Sequence, residues 1–190
     1  MRKSFWVIVF LLIFAAGLAG EDKFFVSAGA AAAVPGNSRY RDFYGTVQFS
    51  PELKAGITFF KSLYAWLGCS FFSARYPIPD LVESSLGTQQ FLSLGVGWET
   101  RRGRRLQSDF FAALVLAGYR ETALGATEKG SALGFELGTG LRYFFRKRVF
   151  MGVAFAYSQA RVSSPEAGSG PQEGDLLGSL RLVTSLGVRF

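Results

Sequence analysis

Large apolar residues alternate with small or polar ones along most of this chain. The clearest stretch is SALGFELGTGLRYFF, residues 131–145. Its odd positions carry Leu133, Phe135, Leu137, Thr139, Leu141, Tyr143 and Phe145. Its even positions carry Gly134, Glu136, Gly138, Gly140, Arg142 and Phe144. A period of two residues marks a strand with unlike faces. Residues 149–161 repeat the pattern, with Val149, Met151, Val153, Phe155 and Tyr157 against Gly152, Ala154, Ala156 and Ser158. Residues 88–100 set Leu92, Leu94, Val96 and Trp98 against Ser93, Gly95, Gly97 and Glu99. Residues 52–60 set Leu53, Ala55, Ile57 and Phe59 against Glu52, Lys54, Gly56 and Thr58. The chain even ends in phase: SLRLVTSLGVRF puts Leu180, Leu182, Leu186, Val188 and Phe190 on one parity, with Arg181, Val183 and Arg189 on the other. Segments 64–76 and 106–121 are apolar on both parities, which leaves their facing open.

Punctuation between these segments is of two kinds. Short breaks fall at 61–63, 101–105 and 146–148; longer ones fall at 35–41, 77–87, 122–130 and 163–174. The pattern predicts eight strands, near 23–34, 43–60, 64–76, 88–100, 106–121, 131–145, 149–162 and 175–190. Hairpins repeat with no domain linker between them, which predicts an all-β fold: an eight-stranded antiparallel up-and-down barrel, transmembrane if its apolar face points outward.

Periodicity cannot say whether the apolar face points in or out. Three features favour outward, toward lipid. The other parity is mostly Gly, Ala and Ser, with few of the Lys, Glu and Gln expected on a wetted exterior. It suits the narrow interior of an eight-stranded barrel. Aromatics crowd both strand ends. Phe24, Phe59, Tyr64, Trp66, Trp98, Tyr143, Phe145 and Phe190 lie near the short turns. Tyr40, Tyr44, Phe72, Tyr76, Tyr119 and Tyr157 lie near the long loops. Two aromatic girdles fit two membrane–water interfaces. Short turns at one end and longer loops at the other fit the same picture.

Residues 1–20 read as an export signal. Arg2 and Lys3 precede an apolar run from Phe5 to Ala16, and small residues follow before Glu21. The run is too short for a spanning helix. Residues 21–190 then form the barrel domain. Export allows disulfides, but Cys69 is the only cysteine and can form no internal bridge.

On the signal, the strand count, the girdles and the terminal pattern, the chain resembles the small eight-stranded outer-membrane barrels of Gram-negative-type bacteria, the type of OmpX, OmpW and the OmpA barrel domain. The resemblance implies a bacterial outer-membrane location, with membrane lipid and the barrel-assembly machinery as partners. It makes Leu182, Leu186, Val188 and Phe190 the terminal assembly signal. The loops would meet any extracellular ligand. Envelope integrity or surface contact is the implied role. A narrow channel for small solutes, hydrophobic ones included, is the alternative that the OmpW likeness suggests. A soluble periplasmic lipid-binding barrel is the third reading.

Charge adds two groups. Lys61, Arg101, Arg102, Arg104, Arg105, Arg146, Lys147 and Arg148 gather at the short turns. On the periplasmic side they would either face anionic headgroups or simply be solvated. Split among separate turns of an exported chain, they fit nucleic acid poorly. On the inner parity stand Glu52, Lys54, Glu99, Glu136, Arg142, Arg181 and Arg189. Inside a narrow barrel they must be paired or wet. They form either a plug of ion pairs or the lining of a narrow pore. The chain has no histidine, which removes the commonest general base and metal ligand. Enzymes of the resembled class use an active-site histidine, so that role does not carry over. No catalytic residue, metal cluster, phosphate loop or cofactor is expected.

Overall fold

Alternation becomes a closed ladder. The computed structural model describes residues 23–36, 41, 46–60, 62–77, 84–102, 105–123, 126–165 and 176–190. The eight strands are β1 (Phe24–Pro35), β2 (Gln48–Thr58), β3 (Leu63–Pro77), β4 (Ser84–Arg102), β5 (Leu106–Ala123), β6 (Ala126–Phe144), β7 (Val149–Pro165) and β8 (Leu176–Arg189). Each pairs antiparallel with its sequence neighbours, and β8 returns to β1. The seam runs from Phe25↔Arg189 to Pro35↔Ser179. Beyond it, the Phe190 amide donates to the Phe24 carbonyl at 2.7 Å, and the Phe24 amide donates back at 3.2 Å. Closure leaves no sheet edge with unpaired backbone groups. The export segment, residues 1–20, lies outside the described residues. Among the described residues no helix is long and apolar enough to cross a membrane.

The apolar parity faces outward. Phe110 is 62% exposed, Leu114 64% and Leu94 60%, and such side chains stand on every strand from β2 to β8. A soluble monomer rarely shows an apolar surface of that extent. The two segments of open facing are now settled. In β3 the even positions Tyr64, Trp66, Gly68, Ser70 and Phe72 point inward; in β5 the odd positions Gln107, Asp109, Phe111, Ala113, Val115, Ala117 and Tyr119 do.

Two expectations need correcting. Tyr64, Trp66, Phe72 and Tyr119 are buried in the lumen and belong to neither girdle. Inward-facing glycines on neighbouring strands make room for the first two, and a pattern within one strand cannot show that. Trp98, Phe59, Tyr143, Phe145, Phe190 and Tyr157 do face out. Tyr40 and Tyr44 lie outside the described residues. The strands also run further than expected. The segment 122–130 is mostly ladder, with Thr122↔Thr127 and Ala123↔Ala126 in register, so only 124–125 separates β5 from β6. β4 likewise begins at Ser84 rather than near 88. These extensions rise beyond the apolar band, where a strand needs no apolar face, so alternation gives no signal there. The barrel is therefore uneven: β4 and β6 have 19 residues each, β1 has 12 and β2 has 11.

Candidate functional site: the filled lumen

The inner faces bring the charged residues together in two storeys. Nearer the short turns, strand register sets Glu99 of β4 directly opposite Asp109 of β5. Side-by-side carboxylates repel. Arg142 of β6 answers both: its Nη2 donates to Asp109 Oδ2 at 2.7 Å, and its Nη1 lies 3.6 Å from Glu99 Oε2. Arg189 crosses the lumen from β8 and donates from Nη2 to Glu99 Oε2 at 2.7 Å. The Tyr64 hydroxyl donates to Asp109 Oδ2, also at 2.7 Å.

The second storey lies nearer mid-barrel. Lys54 Nζ sits 2.8 Å from Glu52 Oε1. Arg181 of β8 reaches Glu52 of β2, Nη1 to Oε2 at 3.7 Å, and donates from Nη2 to Glu136 of β6. Ser93 Oγ also approaches Glu136 Oε2, at 3.5 Å. All seven sequence-predicted lumen residues thus stand inside. Asp109 joins them. The charges of Glu52, Glu99, Asp109 and Glu136 cancel those of Lys54, Arg142, Arg181 and Arg189.

Rings pack around these cations. Arg142 lies over Phe25, Tyr64 and Phe150 at 5.0, 5.1 and 5.6 Å from the ring centroids. Lys54 lies over Trp66 and Phe111 at 4.5 and 4.8 Å. A cation held over an aromatic face away from water gains on the order of 1–2 kcal/mol. Glycines supply the room. A Cβ at Gly97 would strike the Tyr64 ring, and one at Gly95 would strike Trp66. Gly56, Gly138 and Gly187 stand in the same relation to Phe25, Phe111 and Phe150. The small inner parity seen in the sequence is therefore mostly clearance for a few large side chains.

What is left is small. A cavity of about 40 Å³ lies among Phe25, Lys54, Tyr64, Trp66, Asp109 and Arg142. Another of about 30 Å³ lies toward the loops, lined by Gln48, Ser70, Phe72, Gln89, Leu177 and Ser179 among others. A third, about 10 Å³, touches Glu52, Glu136 and Arg181. One water needs roughly 10–15 Å³ measured in this way, so each space holds a few waters at most. Several buried polar atoms have no protein partner, among them Glu136 Oε1, Arg181 Nε, Arg189 Nε and both side-chain polar atoms of Gln107. Buried polar groups are costly unless hydrogen-bonded, and such waters would satisfy them. Among the described residues no group of carboxylates and thiols could hold a metal ion.

The remaining predicted residues fall elsewhere. Leu182, Leu186 and Phe190 face outward on β8 at 50%, 59% and 43% exposure, and Val188 is half-buried beside them. Arg101, Arg105, Arg146, Lys147 and Arg148 are exposed at the short turns, and Arg105 Nη1 donates to the Tyr143 hydroxyl at 3.3 Å. Lys61 and Arg104 lie outside the described residues, while Arg102 is the last residue of β4. Asp109 and Gln107 are the site residues that sequence reading missed. A signal for Asp109 existed: counting back through the tight break at 101–105 places it across the hairpin from Glu99.

No family model matches the chain, and a search of curated proteins gives no match. Solved structures do match. Neisserial surface protein A is 18% identical with a TM-score of 0.69, covering 90% of this chain and 100% of that one. The attachment invasion locus protein Ail of Yersinia pestis, solved with the heparin analogue sucrose octasulfate, is 14% identical with a TM-score of 0.63 over the same shares. The outer membrane protein OprG of Pseudomonas aeruginosa is 12% identical with a TM-score of 0.59, covering 89% of this chain and 96% of that one. At such identities the likeness is one of fold, and the fold of this chain is that of the small eight-stranded outer-membrane barrels.

Proposed function

We propose that this protein spans a bacterial outer membrane as a closed barrel, with a structural or surface-interaction role. The observation that carries the reading is the contrast between its faces: an apolar outer band and a lumen filled by matched charges and rings. Lipid covers the band. The ion pairs crossing from β8 to β4 and β6 block solute passage. Function then rests with the surfaces that leave the membrane, the loops and the tall side of the barrel. The Ail likeness supports a surface role, since that protein is named for attachment and was solved with a polyanion. The outward apolar row of β8, ending at Phe190, is the face we assign to recognition by the assembly machinery. The reading requires no catalytic step.

Two measurements test it. Detergent-extracted protein should migrate faster on gels unheated than boiled, as a closed membrane barrel does; a water-soluble protein without that shift would favour the soluble lipid-binding reading. In planar bilayers the protein should show no discrete conductance steps. Regular openings would instead establish the narrow channel, with the waters around Arg181 and Glu136 as its path.

A further inference from the structure

The outer wall carries a charge pattern of its own. On four strands the last large apolar side chain is followed, at successive outward positions, by a small or polar residue and then by a cation. β3 reads Phe71, Ser73, Arg75, and β5 reads Leu116, Gly118, Arg120. Toward the same end of the barrel, β6 reads Leu133, Ser131, Lys129 and β7 reads Tyr157, Gln159, Arg161. All four cations are exposed. Each stands about 13 Å along its strand past the edge of the apolar band. With a strand tilt of about 40° that is about 10 Å along the barrel axis. The polar headgroup layer begins within that distance.

Acids are missing from this wall among the described side chains, and Glu121 stands opposite Glu128 in register on the other parity. Among the described residues, Glu52, Glu99, Asp109 and Glu136 face the lumen, and Glu121 is half-buried on the other parity with a partner of its own. No ion pair joins any of the four cations to a described side chain. Arg120 and Lys129 are moreover direct register partners on β5 and β6. Like charges placed opposite one another destabilise a sheet unless an anion lies between them. A solvated wall would ordinarily mix both signs.

We propose that this face binds lipids whose headgroups carry phosphomonoesters, in the leaflet on the loop side. One phosphate sits between Arg120 and Lys129, where a guanidinium can grip two oxygens and an ammonium supplies a second charge. Arg75 and Arg161 take phosphates of neighbouring headgroups. Acyl chains then run down the apolar band over Leu116 and Leu133. The site is one-sided, on the taller wall, so it also orients the barrel among its lipids. It rests on the membrane-spanning reading above.

The test uses the full chain purified in nonionic detergent, with native mass spectrometry of added lipid. The probes are lipid A bearing two phosphates, the same lipid with its phosphates removed, and soluble heparin as competitor. The native barrel should retain the phosphorylated lipid and release the stripped one. An R120Q/K129Q variant should bind on the order of tenfold more weakly or worse, since each basic residue near an anionic surface contributes about fivefold. An R146Q/K147Q variant at the opposite end should bind as the native chain does. Equal binding by R120Q/K129Q, equal binding of the stripped lipid, or displacement of the lipid by heparin would each overturn the site. The heat shift on gels is read in parallel. A native chain without it overturns the membrane reading and the site together, whereas a shifted barrel indifferent to phosphate overturns the site alone.

Discussion

Arg181 and Arg120 stand on opposite faces of one wall, and their surroundings differ completely. Arg181 points into the lumen, 6% exposed, with Glu52 and Glu136 in reach. Arg120 points outward, exposed, and its register neighbour is another cation, Lys129. What separates them is the source of the counter-charge. Inside the barrel the remaining spaces are small, and the chain itself provides an acid for each base. Outside, the surroundings provide it. The same logic governs volume: the inner face has to fit its own side chains, whereas the outer face meets a fluid that adapts.

The largest effect should come from stripping an inner charge of its partner. Glu136→Leu leaves Arg181 buried with only the longer contact to Glu52. It should cost about 3–5 kcal/mol of stability, read as a fall in the urea midpoint of refolding into vesicles. Adding Arg181→Met should recover more than half of that, because a buried pair replaced by apolar groups is close to neutral. Failure of the second change to rescue would show that the pair is not the source of the loss.

The next test puts a charge on the wrong part of the outer face. Leu114, midway along β5 and 64% exposed, should face the bilayer centre. Leu114→Arg should cost about 2–4 kcal/mol in the same assay. If that residue met water, the change would be nearly free.

The smallest expected effects compare the faces by size alone. Gly97→Val drives a side chain into the Tyr64 ring and should cost about 1–3 kcal/mol, as overpacking does. Gly118→Val enters open space on the outer wall and should be neutral within about 0.5 kcal/mol, or slightly stabilising through strand propensity. Tyr64→Ala combined with Gly97→Val should cost less than the sum of the two single changes, because the added side chain then enters the space the ring has left. Equal costs at Gly97 and Gly118 would mean that the two faces are packed alike.

Much of this was legible before any fold was known. Strand number and approximate bounds followed from the period of two, a local property of each segment. So did the placing of Leu92, Leu133 and Phe155 on one face and of Glu52, Glu99, Glu136, Arg142, Arg181 and Arg189 on the other, while the small residues of the second face and the aromatics at the strand ends pointed the first outward. Asp109 escaped because β5 is apolar on both parities: Phe110, Leu114 and Leu116 face lipid while Phe111 and Val115 face the lumen. Tyr64 and Trp66 were misplaced for a related reason. An aromatic near a strand end suits a membrane interface and a plugged lumen equally well, and the glycines that decide the matter lie one strand away.

An eight-stranded wall with one apolar face is written in the residue pattern alone, because side-chain facing along a strand depends only on neighbours two residues apart. Which charges meet depends on the closed fold. Glu99 pairs with Arg189 across the lumen, and Arg181 with Glu136, through register, closure and the width of the barrel, which no single strand contains. It alone decided how far the strands rise beyond the apolar band, because a ladder in water is held by backbone hydrogen bonds and leaves no hydrophobic period to read. And it brought Arg120 and Lys129 side by side on the outer wall, where pairing across the β5–β6 hairpin makes neighbours of residues nine apart in the chain.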